Sequence, residues 1–506
     1  MIKIMKKKRF VCAFLVLGGI FTGAFSQDNN DSSVTKKDNQ SIPEISIDTL
    51  LSGYLIQDNT LRKLALDVEK SQLSLKETKI NNGLDITLSS GTMTFYAGPS
   101  GNSVSIKPSV TAKLPAAKNL SASVSTAYEK KTDVSVNART GQPVKDDGWK
   151  DTKFKLGLDI ISSDDAKAKL NIVKSERSLF ETRKQLEAKA LESEKNFYTN
   201  LENILTKVNS LYTSLQTVYK DELDFEKIKA QGYTSSSSTY RLAQMKVMSG
   251  KHDAESTIHT LKHDIVVFYK DCGFDIEIEN ENDFLKYIPA DIPQVEPLLF
   301  TDFERESYKE IENAKWTNDY NSLTRKADKY FTLGVNGGYT IANSTTKTDT
   351  ADIGLSSTIG GVGLNMGVSL PITDVDFTPA YTMSATINPN KFLTRSITKK
   401  QYALTEKQEL IDIENAEKNY ETAIVDFEEK LNKINWEIST VNESFELYAQ
   451  NESDLKKYYN MGIVTESEYL SAKNNRQLYE VKKTINKIDL ILYNNEIKNK
   501  FYSEDK

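Results

Sequence analysis

Residues 458–474 read YYNMGIVTESEYLSAKN, and residues 229–246 read KAQGYTSSSSTYRLAQMK. Each describes a polar helix that halts at a glycine, Gly462 or Gly232, and restarts within a few residues on small hydroxyl side chains. A turn between antiparallel helices favours a residue tolerant of positive φ, followed by Ser or Thr to accept from the first free amides of the next helix. The two turns are 230 residues apart, so the flanking helices should be compared at that offset. Ahead of the first turn, Phe197, Leu201, Ile204, Val208, Leu211, Leu215, Val218 and Phe225 fall at spacings of three and four. Adding 230 gives Phe427, Leu431, Ile434, Ile438, Val441, Phe445, Tyr448 and Leu455, all apolar or aromatic. That agreement reads as an internal duplication. The acids Glu222 and Glu452 share the register and read as positions turned toward water, because an unpaired buried carboxylate is costly.

A 3-4 repeat held over several heptads is a coiled-coil seam. No proline or glycine interrupts the chain from Asp164 to about Ala230, so one helix of some 65 residues, roughly 100 Å, is expected. A comparable helix is expected from about Pro389 to Met461. The returning helices, about Ser236–Asp271 and Glu466–Lys500, carry their own seams in Ile258, Leu261, Ile265 and Phe268, and in Leu478, Val481, Ile485, Ile488 and Leu492. The result is two antiparallel hairpins, 164–271 with its tip at 232 and 389–500 with its tip at 462. Each needs partners to bury its seam.

Ahead of each hairpin the period falls to two. Alternation runs through Phe154–Ile160, Phe331–Tyr339, Val362–Leu370 and Tyr381–Ile387, with Gly, Ser, Thr and Asn on the second face. Such strands suit a barrel with one lipid face and one wet face, and equally a half-buried soluble sheet. Strand regions of about 84–161 and 331–388 follow. Ile86–Gly91 aligns with Leu333–Gly338 at an offset of 247, so the first region is longer by 17 residues. Glu129–Lys150, polar and turn-rich, is the excess and reads as a loop outside the sheet. Residues 273–297, with three prolines, read as a strap between a first repeat (46–272) and a second (298–506).

The first 26 residues carry Lys3, Lys6, Lys7, Lys8 and Arg9, then an apolar run ending in Ala24-Phe25-Ser26, which reads as a secretory signal peptide. Residues 27–45 read as a disordered leader. Losing the signal's five cations takes the formal charge from −6 to −11, which gives no broad reason to bind nucleic acid. Cys272 is then the only cysteine, so no intramolecular disulfide forms. No later stretch reaches the ~18 apolar residues of a membrane helix. The signal peptide, with no other membrane device present, tips the sheet toward a barrel.

The whole-chain order resembles the TolC-like outer membrane efflux family, over nearly everything after the signal peptide. ISIDTLLSGYLIQDNTLRKLALDVEKSQLSLKETKINNGLDITLSSG, residues 45–91, is similar to that family's leading helix running into its first strand. The resemblance implies a mainly α fold with β, in which a duplicated protomer carries outer membrane barrel strands and long coiled-coil periplasmic hairpins. Three such chains would form one α/β-barrel tunnel in the outer membrane. It also implies a passive exit duct for efflux or type I secretion, docking a periplasmic adaptor and an inner membrane pump, with no cofactor and no catalysis. The docking tips would be Gly232, Tyr233 and Thr234 with Gly462, Ile463 and Val464. Glu468 falls where the family has an inner acidic gate residue, and Ser471 where it has a second. Tyr459 matches the tip tyrosine, but Val464 stands in place of an arginine, and Ser238 or Thr239 in place of its aspartate partner. A twelve-stranded trimer needs two through-going strands per repeat, whereas each repeat here offers up to four.

Other signals weigh less. His259 and His263 have the i, i+4 spacing of a two-point chelate, with His252 two turns away, and a polar stripe accounts for them as well. Gly360–Gly367 is glycine-rich but sits in an alternating strand, without the helix start that phosphate binding needs. No nucleophile with a base is apparent. The rival class is a structural or adhesive surface protein with a coiled-coil spacer; two turn-backs argue against a stalk that runs one way.

Overall fold

The computed structural model describes residues 46–502, apart from 99–100, 132–134, 137–142, 145–147, 279–283, 344–347 and 373–376. The expected signal peptide and leader lie outside the described residues, as do parts of 129–150 and of the strap. Seven α-helices are described: α1 (Ile47–Gln57), α2 (Asn59–Asn81), α3 (Ser163–Ala230), α4 (Ser238–Asp271), α5 (Lys309–Ala327), α6 (Pro389–Asn460) and α7 (Glu466–Lys500). No described helix is long and apolar enough to cross a membrane. The chain divides into two compact units. One holds the described residues up to Leu66, Lys184–Lys309 and those from Lys418 onward; the other holds Asp67–Arg183 and Glu310–Glu417.

In the first unit, the core is built by α3, α4 and α7. Phe197, Leu201, Ile204, Val208 and Leu211 of α3 meet Leu261, Ile265 and Phe268 of α4 and Val481, Ile488 and Ile491 of α7. Apart from Ile491, these are the seam positions read from the sequence, together with a third helix that spacing alone could not assign. The strap is part of this core: Ile278, Phe284, Tyr287 and Ile292 are buried in it. The expected leading helix is broken at Asp58, whose carboxylate accepts from the amides of Thr60 (2.7 Å) and Leu61 (3.3 Å) and from Ser193 Oγ (2.6 Å). Burial pushes that carboxyl up, but the hydrogen bonds outweigh it and hold the group below its ordinary value.

Glu222 and Glu452 are half-buried rather than turned fully to water. Glu222 pairs with Lys251 across the first hairpin at 2.8 Å, and Glu452 pairs with Arg476 across the second at 2.6 Å. A cation on the returning helix removes the burial cost that argued for exposure. The second seam is less enclosed than the first: Phe427, Leu431 and Ile434 are buried, whereas Ile438, Val441, Phe445, Tyr448 and Leu455 are half-buried.

The second unit holds the sheets. The first strand region supplies β1 (Asp85–Ser89), β2 (Met93–Gly98), β3 (Gly101–Ile106), β4 (Ser109–Leu114), β5 (Leu120–Ser125), β6 (Tyr128–Lys131), β7 (Ser135–Val136), β8 (Pro143–Val144), β9 (Gly148–Trp149) and β10 (Thr152–Ile161). The second supplies β11 (Phe331–Ile341), β12 (Thr350–Ile359), β13 (Val362–Pro371) and β14 (Ala380–Ile387). Eight of these form one antiparallel sheet in the order β1-β4-β5-β10-β11-β12-β13-β14, four from each region. A four-stranded sheet, β2-β3-β6-β9, prolongs the first four paths, and β7 pairs with β8. The excess segment is therefore not only a loop, since β7, β8, β9 and most of β6 lie within it.

Two ion pairs, each with one buried partner, Arg177 in the first and Glu409 in the second, tie the helices of this unit together. Arg177 of α3, 7 % exposed, forks onto Glu312 of α5 at 2.5 and 2.7 Å and lies between the rings of Phe180 and Trp316. Arg325 of α5 grips Glu409 of α6 at 3.0 and 2.9 Å, and Asn321 adds a third bond at 2.8 Å. Removing one partner of such a pair strands a buried charge, at a cost of about 3–5 kcal/mol.

Candidate functional site

The eight-stranded ladder sorts its side chains into two faces. One row crosses every strand: Ile86, Ala112, Ala122, Leu156, Gly337, Ile353, Val368 and Tyr381. Below it run Leu158, Val335, Leu355, Met366 and Met383, and at the end nearest the β12–β13 turn Phe331, Ile359, Val362 and Ile387. Because successive residues point to opposite faces, the intervening rows share the other face. One of them reads Asp85, Lys113, Ser121, Gly157, Asn336, Gly354, Gly367 and Thr382, again from edge to edge. The apolar rows are not covered by the chain. Leu156 is 63 % exposed, Leu88 76 %, Tyr381 76 % and Met383 71 %. A half-buried soluble sheet would show the reverse.

The height of this face follows from β11. Its ten steps from Phe331 to Ile341 span about 33 Å at ~3.3 Å each, or about 25 Å of depth at a tilt near 40°. Connections at the β12–β13 end are short, as at Gly360-Gly361, while those at the opposite end, such as 342–349 and 372–379, are longer.

The hairpin tips belong to the other unit. At the second, Gly462 adopts φ +71°, its amide donates to the Tyr459 carbonyl (2.9 Å), and the Ile463 amide donates to the Tyr458 carbonyl (2.9 Å). This paired pattern satisfies two carbonyls that the end of α6 would otherwise leave open. At the first, Gly232 adopts φ +83° and donates to the Lys229 carbonyl (2.9 Å), and Thr234 bonds Ser236 through their hydroxyls (2.8 Å). Arg241 Nε donates to the Ser235 carbonyl (2.9 Å), a clamp six residues apart that no capping pattern signals. Both tips expose apolar surface: Tyr233, Leu242 and Met245 on one, Tyr458, Met461 and Ile463 on the other, with Val464 half-buried.

The three gate candidates occupy different settings. Glu468 closes a capping box on α7: its carboxylate accepts from the Thr465 amide (2.8 Å), and its own amide donates to Thr465 Oγ1 (3.3 Å). The Thr465 amide first, and then the Thr465 hydroxyl donating to the same carboxylate (3.0 Å), hold the exposed carboxyl below its ordinary value, with Lys227 adding to the effect. Ser471 Oγ accepts from Gln216 Nε2 of α3 at 2.5 Å, and the buried Asn474 donates to the Tyr212 carbonyl. Tyr459 stacks on Tyr469 at 5.4 Å. Glu468, Ser471 and Tyr459 thus lie close along one stretch, but Ser471 is occupied in holding α7 to α3.

A carboxylate that the sequence did not single out lies higher on α7. Asp489 is pushed up to about 6, first by burial and then by Glu202 of α3 and Glu437 of α6, with Lys430 and Lys433 opposing. Only the three-helix packing brings these residues together, so no spacing could have shown it. His259 and His263 are exposed on α4. Among the described residues no group of three or more His, Cys, Asp or Glu could hold a metal ion.

Residues 50–292 match the family model described as the TP096X N-terminal domain, and residues 293–504 the one described as the TP096X C-terminal domain. No curated protein matches the chain. Among solved structures it is similar to a membrane protein from Pseudomonas aeruginosa, at 11 % identity over 93 % of this chain and 99 % of that one, with a TM-score of 0.44. It is similar also to the open state of the Neisseria gonorrhoeae MtrE outer membrane channel, at 12 % identity, 88 % and 87 % coverage and a TM-score of 0.47. With the Campylobacter jejuni CmeC outer membrane channel the identity is 13 %, coverage 95 % of each chain and the TM-score 0.40.

Proposed function

The chain belongs to the TP096X family, one N-terminal and one C-terminal domain in tandem, and from that premise we propose that it is an outer membrane exit duct. Three copies of a duplicated protomer form a barrel continuous with a periplasmic helical tunnel, serving a tripartite efflux or type I secretion system. The duct is passive: an inner membrane pump supplies the energy and selects the cargo, and no residue here is assigned to catalysis.

The observation that carries the proposal is the two-faced sheet. Its apolar face carries an exposed large side chain on each of the eight strands, from Leu88 on β1 through Val110, Val124, Leu156, Ile341, Ile353 and Met366 to Tyr381 on β14, and its other face is built of Ser, Thr, Gly, Asn and a few charges. Fully burying a side chain such as Leu156 or Met383 is worth about 1.5–3 kcal/mol, so an uncovered face of this extent is unstable in water. A lipid bilayer removes that cost, while the polar face lines a wet lumen. An apolar band about 25 Å tall matches the outward band of outer membrane barrels. The half-buried seam of α6 and the exposed apolar tips support the helical part of the reading, since the first invites neighbouring copies and the second an adaptor.

The full chain should be found in the outer membrane fraction and should be needed there for export by a pump of the same cell. Recovery in the soluble periplasmic fraction would overturn the proposal.

A further inference from the structure

We infer that each copy contributes eight through-going strands to the barrel, and that β14 of one copy pairs with β1 of the next. This rests on the channel reading and extends it to the interface between copies. Among the described residues the ladder ends at β1 on one side and β14 on the other, and no strand pairs with their outer edges. An edge strand directs the N–H and C=O groups of alternate residues outward. In a bilayer no water satisfies them, so open sheet edges do not persist there and the two edges must each find a strand.

The geometry fits another copy of the same chain. Eight antiparallel strands is an even number, so β1 and β14 run in opposite directions and meet as an antiparallel pair, whatever the number of copies. Both edges carry the sheet's two faces out to the last strand. Ile86 and Tyr381 end one apolar row, and Asp85 and Thr382 end one polar row. The most exposed large apolar residues of the eight-stranded sheet, Leu88 on β1 and Tyr381 and Met383 on β14, lie on these two strands.

Closure of one chain on itself fits less well. An eight-stranded barrel is just wide enough for its lumen to be filled by side chains. The inner row ending at Asp85 and Thr382 has glycine at three of its eight positions, Gly157, Gly354 and Gly367, and serine at a fourth, Ser121. Such a row leaves a narrow lumen poorly filled but suits the wall of a wide one. Strands about 4.8 Å apart and tilted near 40° give a backbone diameter of about 16 Å for eight strands. The same geometry gives roughly 24 Å for twelve and about 48 Å for twenty-four. Three copies therefore build a barrel twice as wide as a twelve-stranded one.

The test uses cysteine pairs on the polar face of the full chain: Thr87→Cys combined in turn with Thr382→Cys, Ser384→Cys and Thr386→Cys, to cover the register. The parent, whose Cys272 is buried, is the control. Oxidation should convert at least one pair into a ladder ending at three chains on a denaturing gel, with the parent unchanged. A disulfide-linked single chain of altered mobility would mean self-closure, and no cross-link in any pair would mean that these edges do not meet; either overturns the inference. Fractionation of the same cells keeps the two proposals apart. Protein in the outer membrane without a ladder removes the edge pairing alone, whereas a ladder from protein outside that membrane removes the channel reading alone.

Discussion

Arginine placed at Leu156 tests which solvent the apolar face meets. Leu156 sits mid-strand in β10, 63 % exposed, in the row that Ile353 continues on β12. Ile359 lies six residues further along β12, beside the turn at Gly360. Six steps of ~3.3 Å make about 20 Å along the strand, or about 15 Å of depth at a tilt near 40°. That carries a side chain from near the midplane to the interface. Arginine on a lipid face costs about 2–4 kcal/mol at the midplane and about 0–1 near the interface. Leu156→Arg should therefore lower stability by about 2–4 kcal/mol and Ile359→Arg by about 1 or less. Thr111→Arg, on the polar face between Thr87 and Ser123, should cost least. The assay is urea titration of the full chain folded into phosphatidylcholine vesicles. Equal losses at Leu156 and Ile359, or a larger loss at Thr111, would refute a lipid face, because a protein partner imposes no depth gradient.

Three further outcomes follow from the helical unit. Gly232→Pro and Gly462→Pro each lose the amide bonded at the tip and forbid the positive φ found there, so export should fail at normal outer membrane levels; export retained in both variants would place adaptor docking elsewhere. Glu468→Ala removes the carboxylate half of the capping box of α7, leaving the Thr465 cap in place, and should cost about 0.3–1 kcal/mol, while Glu468→Gln keeps an acceptor and should cost less; both should weaken block by a trivalent cation if the carboxylates ring the pore, and unchanged block in both would remove Glu468 from the lumen. The proton on Asp489 is held up to about 6, against 3.8 unfolded. The folded chain thus binds it more tightly, and the penalty for charging is fully present above about 6 and gone below about 3.8. Stability from this group should rise as pH falls from 7 to 4, by no more than something on the order of 3 kcal/mol, and Asp489→Asn should abolish the rise; an unchanged pH slope in that variant would contradict the assignment.

The long helices were legible because two signals agree there, an unbroken 3-4 seam and the absence of proline or glycine. The helix expected from Asp164 starts at Ser163, and the glycine turns lie where the quoted stretches put them. Strands with bulky alternation, such as Phe331–Tyr339, were equally legible. β4 and β5 alternate through Val110, Ala112 and Leu114 and through Leu120, Ala122 and Val124, where small side chains carry too little contrast to stand out. Thr465-x-x-Glu468 is a capping-box pattern, and the bonds between the two residues show the carboxylate in that local role, whereas a gate role is implied for it by the family resemblance alone. The setting of Asp489 depends on Glu202, from the other hairpin, lying beside it, information that the spacing within one hairpin does not hold.

The claim at the centre of the account is that the assembled chain conducts through a water-filled lumen. Purified full-length protein added to one side of a planar phospholipid bilayer should insert as discrete, stable conductance steps of uniform size, reduced by a trivalent cation. Protein that is folded, with its full helical content, but gives no steps at any concentration tested would contradict the account directly.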